Sequence, residues 1–219
     1  MTMKENKKIN VNGIDIAYTS IGSGNPLILV HGNGENKEIF DKLAEELQDR
    51  FTVYALDSRC HGESGSGVLT YMNIANDVKE FIVSLGLTNV TFLGFSDGGI
   101  VGLLLAINYK DLIDRYYVLG ANTYPKGMKS KVLSLYRIAY FFFRDKKIGL
   151  MLREPNITKE ELNSIKSECV IIAGENDIIR REHTQMIADN IKNSKLIILE
   201  GENHSSYVVN SSKLKTVIE

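Results

Sequence analysis

Apolar residues fall along this chain in short continuous runs bounded by turn formers, and most runs are separated by stretches with apolar residues at helical spacing. Residues 9–11 and 14–18 behave differently. They alternate apolar and polar positions around Asn12-Gly13, a pair suited to the positive φ angles of a tight hairpin, so two antiparallel strands should open the chain. Residues 27–30, 52–56, 90–93, 116–119, 170–173 and 196–199 are nearly unbroken in apolar side chains, as strands buried on both faces of a parallel sheet must be. Phe40, Leu43, Ala44 and Leu47 share one helical face, and Ile74, Val78, Phe81, Ile82 and Leu85 share another, with Gly86 placed to end that helix. A third helix starts near Asp97 and carries Ile100, Leu103, Leu104 and Ile107. Met186, Ile187 and Ile191 mark a fourth, and a last is expected after His204. The pattern predicts an α/β fold, a mostly parallel sheet of about eight strands flanked by helices.

One stretch breaks the alternation. The 48 residues between Gly120 and Cys169 are far more than a crossover needs, and they include an aromatic helical pattern over 132–143. We expect a single domain over 1–219 with a short helical lid inserted at about 122–167.

Composition narrows the function classes. A chain of 219 residues that is 43% hydrophobic and 24% charged can bury a core and is not a disordered or low-complexity segment. With 26 Lys and Arg against 27 Asp and Glu, no global field draws it to nucleic acid. No apolar run approaches the roughly 20 residues that span a bilayer, and residues 1–10 are polar, without the apolar centre of a secretory signal. Cys60 and Cys169 fit neither a disulfide framework nor a metal spacing, so reduced thiols and a cytoplasmic location are expected. No His and carboxylate cluster has metal spacing, and the glycines from Gly94 to Gly102, in the order Gly-x-x-x-Gly-Gly, do not follow the dinucleotide pattern. No cofactor is implied.

Gly94-Phe95-Ser96-Asp97-Gly98 stands between an expected strand and an expected helix, the context of a nucleophile elbow, whose sharp turn needs residues without bulk on either side of the serine. His31-Gly32-Asn33-Gly34 follows an earlier strand, where a backbone N–H could join that of Asp97 to receive an oxyanion. His31 itself should hydrogen-bond within its loop. Gly174-Glu175-Asn176-Asp177 and Gly201-Glu202-Asn203-His204 each follow a strand, and strand carboxyl ends in a doubly wound sheet face one rim, so Ser96, Asp177 and His204 can converge there.

The elbow, the upstream loop and the order Ser, Asp, His together resemble the α/β-hydrolase superfamily of serine hydrolases over nearly the whole chain from about Ile9. Asp57-Ser58-Arg59-Cys60-His61-Gly62-Glu63-Ser64 is similar to the family's Asp-x-Arg-Gly-His-Gly-x-Ser stretch, with Cys60 where glycine is usual and His61 structural. The resemblance implies a cofactor-independent hydrolase of a small carboxylic ester, thioester or amide. Ser96 would be the nucleophile, His204 the base, Asp177 its orienting acid, and the Asn33 and Asp97 N–H groups the oxyanion hole. Serine at the elbow disfavours the dehalogenase variant. Carbon–carbon bond hydrolysis and a non-catalytic, receptor-like binding protein are the alternatives.

Three further expectations concern the surroundings. Asp57 is the rival orienting acid, and His183, among Arg180, Arg181 and Glu182, is expected to be solvated. Asp97 should serve as a helix-start acid, with a second reading in which it meets an ammonium group of the substrate; Tyr136 and Tyr140 are candidate substrate contacts. Lys126, Lys129, Lys131, Arg137, Arg144, Lys146 and Lys147 face only Asp145, a local net of +6 in a chain of net −1. The lid aromatics should pack over the core with these cations solvated; the alternative is a surface that meets acyl chains, anions or a membrane interface.

Overall fold

Eight strands form one sheet in the order β1-β2-β4-β3-β5-β6-β7-β8 in the computed structural model, which describes residues 4–218. Residues 1–3 of the polar amino-terminal stretch and residue 219 lie outside the described residues. The hairpin at Asn12-Gly13 joins β1 (Glu5–Val11) to β2 (Ile14–Gly22), both turn residues having positive φ, 51° and 75°. β2 also pairs antiparallel with β4 (Phe51–Leu56). The remaining strands are parallel: β3 (Asn25–Val30), β5 (Thr91–Phe95), β6 (Arg115–Leu119), β7 (Glu168–Asn176) and β8 (Ser194–Asn203).

Because strand side chains alternate between faces, each central strand feeds two cores. Ile28, Val30, Phe92, Tyr116 and Val118 face one side, covered by α2 (Tyr71–Ser84) and α3 (Asp97–Asn108). Leu27, Leu29, Leu93, Phe95 and Leu119 face the other, covered by α1 (Asp41–Leu47) and the carboxyl-terminal segment. α2 starts where the Thr70 side chain accepts from the Asn73 N–H and ends at Gly86, whose φ of 63° lets Leu87 N–H return to the Ile82 carbonyl.

Between β6 and β7 run α4 (Ser130–Phe143), α5 (Lys146–Arg153) and α6 (Lys159–Asn163). Two expectations fail here and at the carboxyl end. The α4 aromatics do not all pack over the core, for Phe141, Phe142 and Phe143 are 66%, 71% and 78% exposed. Past His204, after α7 (Arg181–Asp189) and β8, the described residues hold turns and a 3-10 turn at Lys213–Thr216 in place of an α-helix. Tyr207, Val208, Leu214 and Ile218 are nevertheless buried, so that segment fills the core without regular spacing. Among the described residues no helix is long and apolar enough to cross a membrane.

Candidate active site

Ser96 sits between the end of β5 and the first turn of α3 with φ 53° and ψ −111°, a conformation that costs an L-residue of order 1–3 kcal/mol unless its surroundings impose it. They do so through contact. A Cβ on Gly94 would stand 2.0 Å from the Gly98 carbonyl oxygen, and one on Gly98 2.0 Å from that of Val30. The Ser96 N–H donates to the Leu119 carbonyl at 2.7 Å, tying the turn to β6.

Asp177 lies in the turn after β7, where its Oδ1 accepts from the Ile179 N–H at 2.8 Å and from His204 Nδ1 at 2.7 Å. His204 Nε2 stands 3.1 Å from Ser96 Oγ. Facing a carboxylate, Nδ1 must carry the proton, which leaves Nε2 free to accept from the serine hydroxyl. The His204 loop is braced by Asn203, whose side-chain oxygen accepts from the Ser205 and Ser206 N–H groups. Gly120, at φ 57°, is the other constraint: a Cβ there would meet the imidazole at 2.9 Å.

His31 is neutral and structural. Burial pushes its pKa down to about 4, while Nδ1 donates to the Gly32 carbonyl and Nε2 accepts from the Ser58 N–H. Asn33 reaches across to α3 and donates to Asp97 Oδ2 at 2.9 Å and to the Lys147 carbonyl at 3.1 Å. Among the described residues neither the Asn33 nor the Asp97 main-chain N–H donates to a protein group. Two participants escaped the sequence reading. Tyr71, at the start of α2, donates its hydroxyl to Asp97 Oδ1 at 2.8 Å, and Glu35 accepts the Gly32 N–H at 2.9 Å. No local pattern marks either, because each partner lies on another element or across a loop turn. Burial raises the pKa of Asp97 to about 6 despite its two hydrogen bonds, and burial also raises that of Glu35.

These groups open on a cavity of about 230 Å³ whose lining includes Asn33, Glu35, Tyr71, Tyr136, Met151 and Ile178 beside Ser96, Asp97 and His204. Tyr140 is not in that lining; its ring lies over Gly149 and beside the Arg144 guanidinium, 5.6 Å away.

Asp57 is fully buried and committed elsewhere. Its oxygens accept from the Lys37 N–H and ammonium and from the Glu63 N–H, so it serves the Lys37 ion pair. Nearby, Arg59 grips Asp77 through two hydrogen bonds of 2.6 Å, and Cys60 adopts φ 64°, the left-handed value that makes glycine usual at that place. His183 corrects another expectation. It is 3% exposed, its Nε2 accepts from the Thr123 N–H at 3.0 Å, and burial lowers its pKa to about 4. The cations flanking it point the sequence reading outward, but position 183 faces the segment after β6, packed on Thr123, Tyr124 and Gly127. Among the described residues no group of three or more His, Cys, Asp or Glu side chains is placed to hold a metal ion.

A family model for the alpha/beta hydrolase fold matches residues 25–147. Serine hydrolase BPHL of Mus musculus is 25% identical over 245 residues, spanning 97% of this chain and 84% of that protein. Among solved structures, Est816, an N-acyl homoserine lactone degrading enzyme, has a TM-score of 0.81 at 20% identity, covering 97% of this chain and 98% of its own. A meta-cleavage product hydrolase from Pseudomonas fluorescens IP01 has a TM-score of 0.79 at 17% identity, covering 97% and 95%. At such identities the structural likeness is one of fold.

Proposed function

The chain belongs to the alpha/beta hydrolase fold family and is a hydrolase of that fold; from that premise we propose that it cleaves a small carboxylic ester, thioester or amide through an acyl-enzyme on Ser96. The observation that carries this reading is the continuous line from Asp177 Oδ1 through the His204 imidazole to Ser96 Oγ, with separations of 2.7 and 3.1 Å.

His204 Nε2 takes the hydroxyl proton as Ser96 Oγ bonds to the substrate carbonyl carbon. Asp177 holds the ring in the productive tautomer and stabilises the imidazolium. The oxyanion is received by the main-chain N–H groups of Asn33 and Asp97, which are free to donate. Collapse breaks the bond to the leaving group, which leaves with the proton from Nε2. Water then adds to the acyl-enzyme by the same route, its proton passing to His204 and on to Ser96 Oγ as the acid is released.

The cavity of about 230 Å³ suits a small or medium acyl group. Its lining has two carboxylates, Glu35 and Asp97, and no Lys or Arg, which favours a substrate with an ammonium group near the scissile bond. Tyr136 and Met151 bring α4 and α5 to the cavity, so residues 122–167 act as a cap on a single domain.

A fluorophosphonate probe and a panel of p-nitrophenyl acyl esters test the assignment. Wild type should be labelled and turn over short acyl esters, whereas Ser96→Ala should do neither with its fold intact. Labelling of the variant at the wild-type level overturns the choice of nucleophile. Cleavage of a carbon–carbon bond beside a ketone, with no ester turned over, replaces the reaction class.

A further inference from the structure

We propose that the outer face of α4 and the turn after it form a docking surface for an anionic lipid bilayer, on which the protein sits peripherally. α4 is apolar on two sides. Inwardly, Leu133 is buried with Val132 and Tyr136 packed around Met128 and Ile179. Outwardly, Leu135, Ile138, Phe141, Phe142 and Phe143 are 57% to 78% exposed, five of the eight large apolar side chains exposed among the described residues. Leu135, Ile138 and Phe142 follow at spacings of three and four, so they line one stripe. A helix apolar on both sides is ordinarily covered by something, and apolar surface concentrated in this way differs from the scattered single residues of an ordinary surface.

The charges around the stripe indicate what covers it. Lys131, Arg137, Arg144 and Lys146 are exposed on the same segment. The Arg144 guanidinium lies 5.8 Å from the Phe141 ring centroid, a charged head held at the edge of an aromatic body. The one acid, Asp145, is committed to the Lys147 and Ile148 N–H groups as the cap of α5. Aromatic rings at the headgroup boundary and Lys or Arg against lipid phosphates are the two attractions that hold an interfacial helix.

A second copy fits less well, since a two-fold contact sets a surface on itself and would bring the patch carrying Arg137, Arg144 and Lys146 against an equally cationic patch. The Phe141 and Phe142 rings pack edge to face at 5.3 Å and Phe143 is exposed beside them in sequence, an aromatic cluster that a fluid interface admits without a preformed pocket. None of these side chains lines the cavity, and the inference stands apart from the reaction proposed above.

Cosedimentation of the full chain with vesicles tests it. Wild type should bind vesicles of phosphatidylglycerol and phosphatidylcholine in equal parts, release with salt, and ignore pure phosphatidylcholine. Binding should fall at least about tenfold in Phe141→Ser/Phe142→Ser/Phe143→Ser and in Arg137→Gln/Arg144→Gln/Lys146→Gln, with thermal midpoints unchanged. The charge variant leaves every apolar side chain in place and serves if the aromatic variant misfolds. Absence of wild-type binding to the anionic vesicles overturns the proposal, as does undiminished binding by either folded variant. A wild-type dimer that the aromatic variant converts to monomer, or capture of an acidic protein, without vesicle binding in either case, assigns the face to another occupant and also overturns it.

Discussion

Replacing Asp97 by Asn should make the protein more stable, and only above a definite pH. Burial raises the carboxyl from 3.8 to about 6, against the opposing pull of hydrogen bonds from Asn33 and Tyr71. Between those two values the folded state holds a proton that the unfolded state has lost, so this group's contribution to stability falls as pH rises through the window and is level above it. Two units correspond to about 3 kcal/mol. The introduced amide would keep an acceptor for the Tyr71 hydroxyl but present its NH2 group to Asn33, and one weakened hydrogen bond offsets about 1 kcal/mol of the gain. The net expectation is a variant more stable by about 2 kcal/mol at pH 8, with the gain absent or reversed near pH 4. Urea unfolding of both proteins at pH 4, 5, 6, 7 and 8 reads the difference directly, and other titrating groups cancel in the comparison. A difference that stays constant across the series would falsify the assignment of the strain to a buried charge. A gain of this kind at a cavity-lining position would also mean that function holds the carboxylate where stability alone would not.

Other outcomes follow from the same geometry. Asp177→Asn should lower kcat by several orders of magnitude, as loss of the orienting acid does in triads, whereas Asp57→Asn should lower the melting temperature and leave kcat per folded molecule within a few-fold; equal kcat losses would remove Asp177 from its role. Gly120→Ala should impair turnover and probe labelling together, because its Cβ would meet the His204 ring at 2.9 Å and the φ of 57° disfavours a side chain; wild-type labelling rates would show that the imidazole yields freely. An α-amino ester should have a higher kcat/KM than its uncharged isostere, and Asp97→Asn or Glu35→Gln should shrink the ratio; a ratio unchanged in both variants assigns the carboxylates no part in substrate choice.

How much of this is legible without coordinates differs between fold and site. The strands that run through both cores are readable because burial on two faces leaves no polar position, and Gly86 and Asn12-Gly13 are readable because a positive φ selects small or amide side chains locally. The Ser96 elbow is marked in the same way, since Gly94 and Gly98 stand two residues to either side of the serine, although the contacts that hold the turn, with Val30 and Leu119, come from other strands. The rim that gathers Ser96, Asp177 and His204 follows from parallel strands ending on one side, although their separations do not.

What tertiary structure decides is whatever depends on a partner distant in sequence. Asp57 and Asp177 both follow strands, and only packing assigns the first to Lys37 and the second to His204. His183 reads as solvated from its charged neighbours, yet it is buried against Thr123, sixty residues away. Tyr71 carries no local mark at all, because its hydrogen bond to Asp97 is a fact about where two elements meet, whereas Glu35 pairs within its own loop, with Gly32 three residues back. The same holds for α4, whose aromatic spacing is equally good for either side of the helix. The sequence by itself determines which segments become strands and helices and which loops carry reactive side chains, since those preferences act over a few residues; the pairing of each side chain with its neighbour waits on long-range packing.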